Sequence, residues 1–311
     1  MKVFLTGATG VIGRATVAEL VAAGHEVRAV ARSPEKADAL RAAGAQPVAV
    51  DLFDADAVKV AVEGTEAVMH LATNVPPVEQ ARRKGAWDMH NRLRTEGTRN
   101  LVSAALATGA TRFVKESVSF VYADGGDAWL TEASPLLDPL GMLTPTVEGE
   151  QEALAFAGDG RTATVLRFGL FYGDQGNRGT DDMLRFARWR VSTIAGRPGA
   201  YMSSIHAHDA ASAAVAALGA PTGIFNVVDD EPLTRREHLD AFTAAFGTKR
   251  LHLVPEWLFK AIGGSGAAVL LASQRVSNRA FGEATGWAPE YPSAREGWRQ
   301  VAAERKEAVH A

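Results

Sequence analysis

The sequence predicts an α/β fold: a doubly wound parallel sheet with a small C-terminal lobe. Three observations carry that expectation. Short β-branched runs alternate with longer alanine-rich stretches through the first half, the pattern of βαβ units around a parallel sheet. Glycine closes most of the alanine-rich stretches, where its left-handed backbone ends a helix without a Cβ clash. After Gly173 the rhythm changes to loops and helices without regular strands between them.

Taken in order, strands are predicted at Lys2–Thr6, Glu26–Ala31, Gln46–Asp51, Glu66–Ala72, Thr111–Ser117 and Thr162–Phe168. Helices are predicted near Arg14–Ala23, Pro34–Ala43, Asp54–Glu63, Trp87–Thr108 and Pro145–Ala157, the first four ending at Gly24, Gly44, Gly64 and Gly109. Beyond Gly173 come an amphipathic stretch Thr180–Arg190, a helix His208–Leu218 and a strand at Gly223–Val228. The sheet domain is expected over residues 1–172, regaining about 205–228, and the lobe over 173–204 and 229–311. The charged tail Ala302–Ala311 reads as a solvated last helix.

Composition removes several classes of function. Of 311 residues, 47% are hydrophobic and 22% charged, the balance of a chain that buries a core. The 33 basic and 36 acidic side chains leave a net charge of −3, which supplies no field for gripping a polyanion, so no nucleic-acid partner is expected. With no cysteine, disulfides, thiolate metal sites and a cysteine nucleophile are excluded, in keeping with a reducing cytoplasm. The chain reaches Gly7 too soon for a signal peptide, and the uncharged stretch Ala210–Val228 is broken by Gly219, Pro221, Gly223 and Asn226. A cytoplasmic protein without a membrane span is expected.

The strongest motif is Gly7-Ala-Thr-Gly10-Val-Ile-Gly13, directly after the first apolar strand and opening an alanine-rich helix. Gly7 permits the tight turn, Gly10 lets backbone N–H groups approach a pyrophosphate, and Gly13 lets the helix pack closely. With Thr9, Val11 and Ile12 completing the loop, this predicts a dinucleotide site on a Rossmann-type sheet. The second strand ends in Arg32-Ser33, where an acidic residue would bind the adenosine ribose hydroxyls and an arginine can clamp a 2′-phosphate. NADP is therefore favoured over NAD. Asp51-Leu52 ends the third strand, placed either to meet the adenine amino group or to lead into a helix cap near Asp54.

With these residues in view, the chain resembles an atypical extended short-chain dehydrogenase/reductase of the NAD(P)-dependent epimerase/dehydratase-like family. Further markers are His70-Leu-Ala72, Glu96-Gly-Thr-Arg-Asn-Leu101, Arg112-Phe-Val114, Ser117 to Tyr122, Leu166-Arg-Phe168 with Tyr172-Gly173, and His206-Ala-His-Asp209. The resemblance implies a C-terminal substrate lobe, Leu71, Ala72 and Thr73 bordering the pyrophosphate and nicotinamide ribose, Phe168 and Gly169 near the nicotinamide, and a homodimer as a plausible assembly.

The departures bear on the chemistry. Carbonyl-reducing members of the family resemble one another in a Ser/Thr, a Tyr and a Lys four residues later, because the alkoxide left by hydride transfer needs a proton, and a phenol of pKa about 10 supplies it only beside an ammonium. Here Val118 stands in the serine's place, flanked by Ser117 and Ser119, and the Tyr-x-x-x-Lys positions fall on Met142 and Thr146, or on Thr144 and Glu148 in a shifted register. The replacement acid is sought among Ser117, Ser119, Tyr122 and Glu148. The expected function is NADP-dependent oxidoreduction of a small-molecule carbonyl, imine or enone; the alternatives are a sugar-nucleotide epimerase/dehydratase and a non-catalytic NADP-binding sensor or scaffold.

Other clusters have plainer readings. His206 and His208 lie two apart, yet no further metal ligand is evident, so no metal is expected. His70 reads as a satisfied core histidine rather than a base. Arg82-Arg83-Lys84 and Arg185, Arg188 and Arg190 read as solvated charge or, alternatively, as anion steering and a phosphate clamp. Trp129, Phe171 and Trp189 either wall an apolar pocket or fill a core. Arg275-Val-Ser-Asn278 is assigned to packing.

Overall fold

A computed structural model of the chain describes residues 1–76, 80–81, 83–173, 177–263 and 267–310. The first 118 residues alternate as predicted: β1 (Lys2–Thr6), α1 (Gly13–Ala22), β2 (Glu26–Val30), α2 (Pro34–Ala42), β3 (Gln46–Val48), α3 (Ala55–Val62), β4 (Ala67–His70), α4 (Asp88–Arg92), α5 (Thr98–Thr108) and β5 (Arg112–Val118). Ser33 and Asp54 cap α2 and α3 by accepting the N–H groups of Lys36 and Ala57, satisfying donors that the first helical turn leaves open. Gly24, Gly44, Gly64 and Gly109 follow the first helices with φ between +73° and +84°.

The single helix expected over Trp87–Thr108 is instead interrupted. Residues Leu93–Gly97 form a π-helical turn between α4 and α5. Widening of this kind marks places where a side chain is turned inward for another purpose, and here Arg94 is 2% exposed.

The second half contains β6 (Trp129–Leu130), α6 (Thr144–Leu154), β7 (Thr162–Phe168), β8 (Leu170–Tyr172), α7 (Arg178–Ala187), β9 (Val191–Ala195), β10 (Tyr201–Met202), β11 (Ser204–His206), α8 (Ala207–Ala216) and β12 (Gly223–Val227). Then follow β13 (Leu233–Thr234), α9 (Arg235–Phe246), β14 (His252–Val254), α10 (Glu256–Gly263), α11 (Ala267–Leu271), β15 (Arg275–Val276), α12 (Arg279–Thr285) and α13 (Ala294–His310). No helix among the described residues is long and apolar enough to cross a membrane.

The chain divides into two compact units, residues 1–118 with 143–167 and 211–225, and residues 119–142 with 168–210 and 226–311. The first is built on a seven-stranded sheet ordered β12-β7-β5-β4-β1-β2-β3, with β1 to β5 in parallel register. This is the doubly wound Rossmann arrangement, and its strand order reverses between β1 and β4, where such sheets open a crevice at their carboxyl ends. On one face α3 and α5 bury Val58, Val62, Leu101 and Ala105 with Phe4, Val68 and Phe113 of the strands.

The second unit takes in residues 119–142, which the sequence placed with the sheet domain. Within this unit, Leu130 and Tyr122 pack with Val228 and Val276, and β6 pairs in parallel with β15. Its larger core gathers Tyr172, Met183, Leu239, Phe242 and Trp298.

Candidate functional site

The glycine loop joins β1 to α1 at the point where the strand order reverses. Gly7 has φ +78°, and a Cβ there would stand 2.5 Å from the carbonyl carbon and oxygen of Leu71. A Cβ on Gly13 would run into the carbonyl oxygen of Gly7. Gly10 is exposed, its N–H donates to the Gly7 carbonyl at 2.9 Å, and a Cβ on it would meet only that oxygen, at 3.1 Å. Two glycines are thus demanded by the fold itself, whereas the third keeps an open surface bare, as close approach of a diphosphate to backbone requires. Ala8 and Ile12 are buried beneath the loop, and Thr9 and Val11 lie half-buried at its rim.

The same unit carries most of the other predicted cofactor positions, of which Leu71 and Ala72 lie directly against Gly7. Leu71 is buried, Ala72 half-buried and Thr73 exposed just beyond β4. Arg32 is exposed past the end of β2 and makes no hydrogen bond among the described residues. Ser33 is spent on its helix, accepting the Lys36 N–H at 3.4 Å and hydrogen bonding to the Glu35 carboxyl, which it holds below the usual range. Asp51 accepts the Phe53 N–H through Oδ1 at 3.0 Å, and the Leu52 carbonyl accepts from Asn100. Phe168 and Gly169 fall in the second unit. There Phe168 is fully buried, its ring 5.3 Å from that of Phe171, and a Cβ on Gly169 would press on the Ser203 carbonyl oxygen at 2.8 Å.

Two of the three predicted catalytic hydroxyls have partners of their own. Ser117 is fully buried and donates to Glu150 Oε1 at 2.5 Å. Tyr122, also fully buried, donates to Oδ1 of Asn226 at 2.8 Å. Ser119 is 1% exposed and opens a short turn whose carbonyl accepts the Tyr122 N–H. Glu148 is exposed on α6, two residues after buried Thr146, and Met142 is half-buried in the turn before the helix.

Sequence reasoning missed a buried polar cluster in the first unit. Glu150 takes Arg167 in a two-pronged ion pair, from Nε at 2.9 Å and Nη2 at 2.6 Å. Arg94 does the same work for Glu116 at 3.1 Å and donates through Nε to Nε2 of His90 at 3.0 Å. Lys115, 1% exposed, forms no ion pair among the described residues, and its ammonium reaches only the Glu116 carbonyl at 3.4 Å. Burial, then the adjacent Arg94 charge, lowers its pKa to about 7. The detectable signal was Lys115-Glu116 in the middle of an apolar strand, since charges inside a core require partners.

His70, His206 and His208 are each engaged within the fold. His70 joins Thr6 Oγ1 at 2.7 Å and the Leu93 carbonyl at 3.1 Å, and burial followed by the Lys115 charge lowers its pKa to about 3. His206 Nδ1 accepts the His208 N–H at 3.3 Å, His208 Nε2 lies 3.2 Å from Glu290, and Asp209 accepts the N–H groups of Glu290 and Tyr291. No group of residues suited to a metal occurs among the described residues. Arg185 pairs with Asp182 at 2.8 Å, Trp129 and Trp189 are exposed, and Arg82 lies outside the described residues.

Comparison with known proteins agrees with this geometry. The NAD(P)H-binding family matches residues 7–176. A 3-diazoavenalumate denitrifying reductase from a Streptomyces species is 35% identical over 308 residues, 96% of this chain and 99% of that one. The structure of human epimerase family protein SDR39U1 with NADPH superposes with a TM-score of 0.80 at 25% identity, covering 97% of this chain and 99% of that one. A Thermus thermophilus UDP-glucose 4-epimerase in complex with NAD has the same fold, with a TM-score of 0.79 at 22% identity over 99% of this chain and 100% of that one.

Proposed function

This chain belongs to the NAD(P)H-binding family and is an NAD(P)-dependent oxidoreductase of the extended short-chain dehydrogenase/reductase type, and from that premise we propose that it is an NADPH-dependent reductase of small electrophiles that accept hydride without a proton from the enzyme. The observation carrying this reading is the engagement of two of the candidate hydroxyls, Ser117 with Glu150 and Tyr122 with Asn226. The helix that would present a phenol and an ammonium carries Thr144, Thr146 and Glu148. A ketone reduced here would leave an alkoxide that the engaged Ser117 and Tyr122 hydroxyls are not free to protonate, whereas an acceptor that is already cationic or conjugated needs no such proton.

The residues fit the cofactor. The bare backbone at Gly10 would receive the diphosphate, and the unpaired guanidinium of Arg32 supports NADPH over NADH. Bound nicotinamide supplies hydride. The chain's own part is to hold that group, keep water from it and orient the acceptor. Among acceptors, an aryl diazonium suits the chemistry and the name of the Streptomyces relative. Hydride forms a bond to its terminal nitrogen, the aryl diazene so made loses dinitrogen as hydrogen passes to the ring carbon, and NADP+ is left.

The test is NADPH consumption by the purified protein with an aryl diazonium salt, an iminium ion, an enone and a simple ketone, each against its uncatalysed rate. Turnover of cationic or conjugated acceptors with the ketone inert is expected. Equal turnover of the ketone would sink the acid-free reading, and tight NADPH binding with no turnover would favour a sensor.

A further inference from the structure

In the second unit, three short strands set one arginine between two aromatic rings. β6 and β15 pair with Trp129 opposite Arg275, and Met202 of β10 forms an isolated bridge with Gln274, the residue before β15. The guanidinium carbon of Arg275 lies 4.2 Å from the centroid of the Trp129 ring and 4.9 Å from that of Tyr201. The alternation of a strand fixes the direction. Gln274 and Val276 point inward and are 4% and 0% exposed, so the half-buried Arg275 between them faces the other way.

The backbone that presents it is held on both sides. Gln274 N–H donates to the Tyr201 carbonyl at 3.1 Å, Val276 N–H to Ser203 Oγ at 2.9 Å, and Ser277 N–H to the Leu130 carbonyl at 2.8 Å. The Gln274 side chain is anchored to the Tyr122 carbonyl at 2.6 Å.

The charge itself is unanswered. Arg275 forms no ion pair or hydrogen bond through its guanidinium among the described residues, and its Nε is buried without a partner. Nearby Arg197 already has Asp124, at 3.1 Å. A guanidinium held against two rings still presents N–H donors along its edge, and such an edge matches a carboxylate in two parallel hydrogen bonds. Trp129, 48% exposed, also offers an open aromatic surface beside it.

We propose that Arg275, clamped between Trp129 and Tyr201, is the anion-recognition residue of this protein and selects a planar aromatic carboxylate. This rests on the reading of the chain as a reductase of small electrophiles and narrows the acceptor to an aryl or cinnamyl acid bearing the reducible group. The carboxylate sits on the guanidinium edge while the ring lies against Trp129.

The experiment measures binding without turnover, so its failure is separate from failure of the reductase reading. Tryptophan fluorescence of the full chain is titrated with cinnamate, with neutral cinnamamide and with UDP, and NADPH affinity is measured in parallel. Cinnamate is expected to bind at least about tenfold tighter than cinnamamide, one such charge-assisted pair being worth that much. Arg275→Met should erase the difference, Arg275→Lys should keep part of it, and NADPH affinity should stay within about twofold in both. Equal binding of cinnamate and cinnamamide by the unaltered protein would overturn the proposal, as would retained preference in Arg275→Met. UDP binding tighter than cinnamate, and lost in Arg275→Met, would transfer the site to a nucleoside diphosphate and overturn the carboxylate assignment. Should Arg275→Met fold poorly, the cinnamate and cinnamamide comparison and Arg275→Lys still decide.

Discussion

Lys115 ends against the bare backbone of Gly149: a Cβ at position 149 would stand 2.9 Å from the lysine Cε and closer still to the Arg94 carbonyl oxygen. The helix therefore comes close enough to seal the ammonium away from water. With Arg94 and Arg167 each holding a glutamate, the lysine charge is the surplus one. Its pKa in the folded chain is about 7 against 10.5 for the free group. The unfolded chain then binds the extra proton between those values, so stability rises with pH across that window and the full cost of burying the charge is felt below about 7. Lys115→Met should be more stable than the parent by on the order of 2–4 kcal/mol near neutrality, with the difference fading towards pH 10. Urea unfolding at several pH values measures it, and a constant difference would show that Lys115 is not titrating there. Gly149→Ala should cost about 1–3 kcal/mol by overpacking.

Glu150 is 1% exposed, yet it accepts from Ser117 and from two nitrogens of Arg167. Removing the carboxylate charge strands a buried guanidinium. Glu150→Gln should therefore cost about 3–5 kcal/mol, and a double replacement Glu150→Leu with Arg167→Met should recover much of that loss because it removes both charges together. Chemical denaturation of these proteins together with the single variants Glu150→Leu and Arg167→Met tests the coupling; additive losses would mean that the two side chains act independently.

The sheet and glycine loop were legible in the sequence because their signals are local: strand and helix periods, glycines after helices, and the spacing Gly7, Gly10, Gly13. The buried polar cluster was not. Lys115 and Glu116 announce themselves as charges within an apolar strand, but their neutralisation is settled by Arg94 from a π-helical turn and by the helix carrying Glu150, which only the folded chain brings together. Arg275 was read as packing for the same reason. Its ring partners lie on strands of two residues each, too short to betray themselves by alternation. Ser117 and Tyr122 were singled out by alignment to a serine-rich stretch, which cannot reveal that their hydroxyls are already bonded inside.

Arg32 is exposed beyond β2 with an acidic replacement available in principle, since carboxylates there bind ribose hydroxyls and repel a 2′-phosphate. Arg32→Glu is expected to weaken NADPH binding on the order of 10- to 100-fold while leaving NADH binding equal or tighter. Calorimetric titration with both nucleotides checks it. Unchanged discrimination would place the 2′-phosphate contact elsewhere.

Tyr122 offers a direct separation of structure from catalysis. Its hydroxyl serves Asn226, whose Nδ2 is already buried without a partner, so Tyr122→Phe should lower stability by about 1–3 kcal/mol. If the acid-free reading holds, kcat with a cationic acceptor changes less than about threefold; a loss of the 100-fold size typical of a missing general acid would return Tyr122 to the chemistry.

Acid should open the fold through its imidazoles. Burial lowers His70 and His90 to about 3, and His206 and His238 to about 4, from 6.5. These groups bind a proton in the unfolded chain at a pH where the folded chain refuses it, so their contribution to stability is complete above about 6.5 and drains away as pH falls towards 4. Each such histidine steepens the decline by about 1.4 kcal/mol per pH unit. His238 is the cleanest to remove, because its shift comes from burial alone and its one hydrogen bond among the described residues is from the Trp298 indole N–H at 3.2 Å. His238→Leu forfeits that bond and lowers stability near neutral pH, but the slope of unfolding free energy between pH 6 and 4.5 should flatten by the contribution of one group, and a slope identical to that of the parent would mean that His238 already carries a proton in the folded chain.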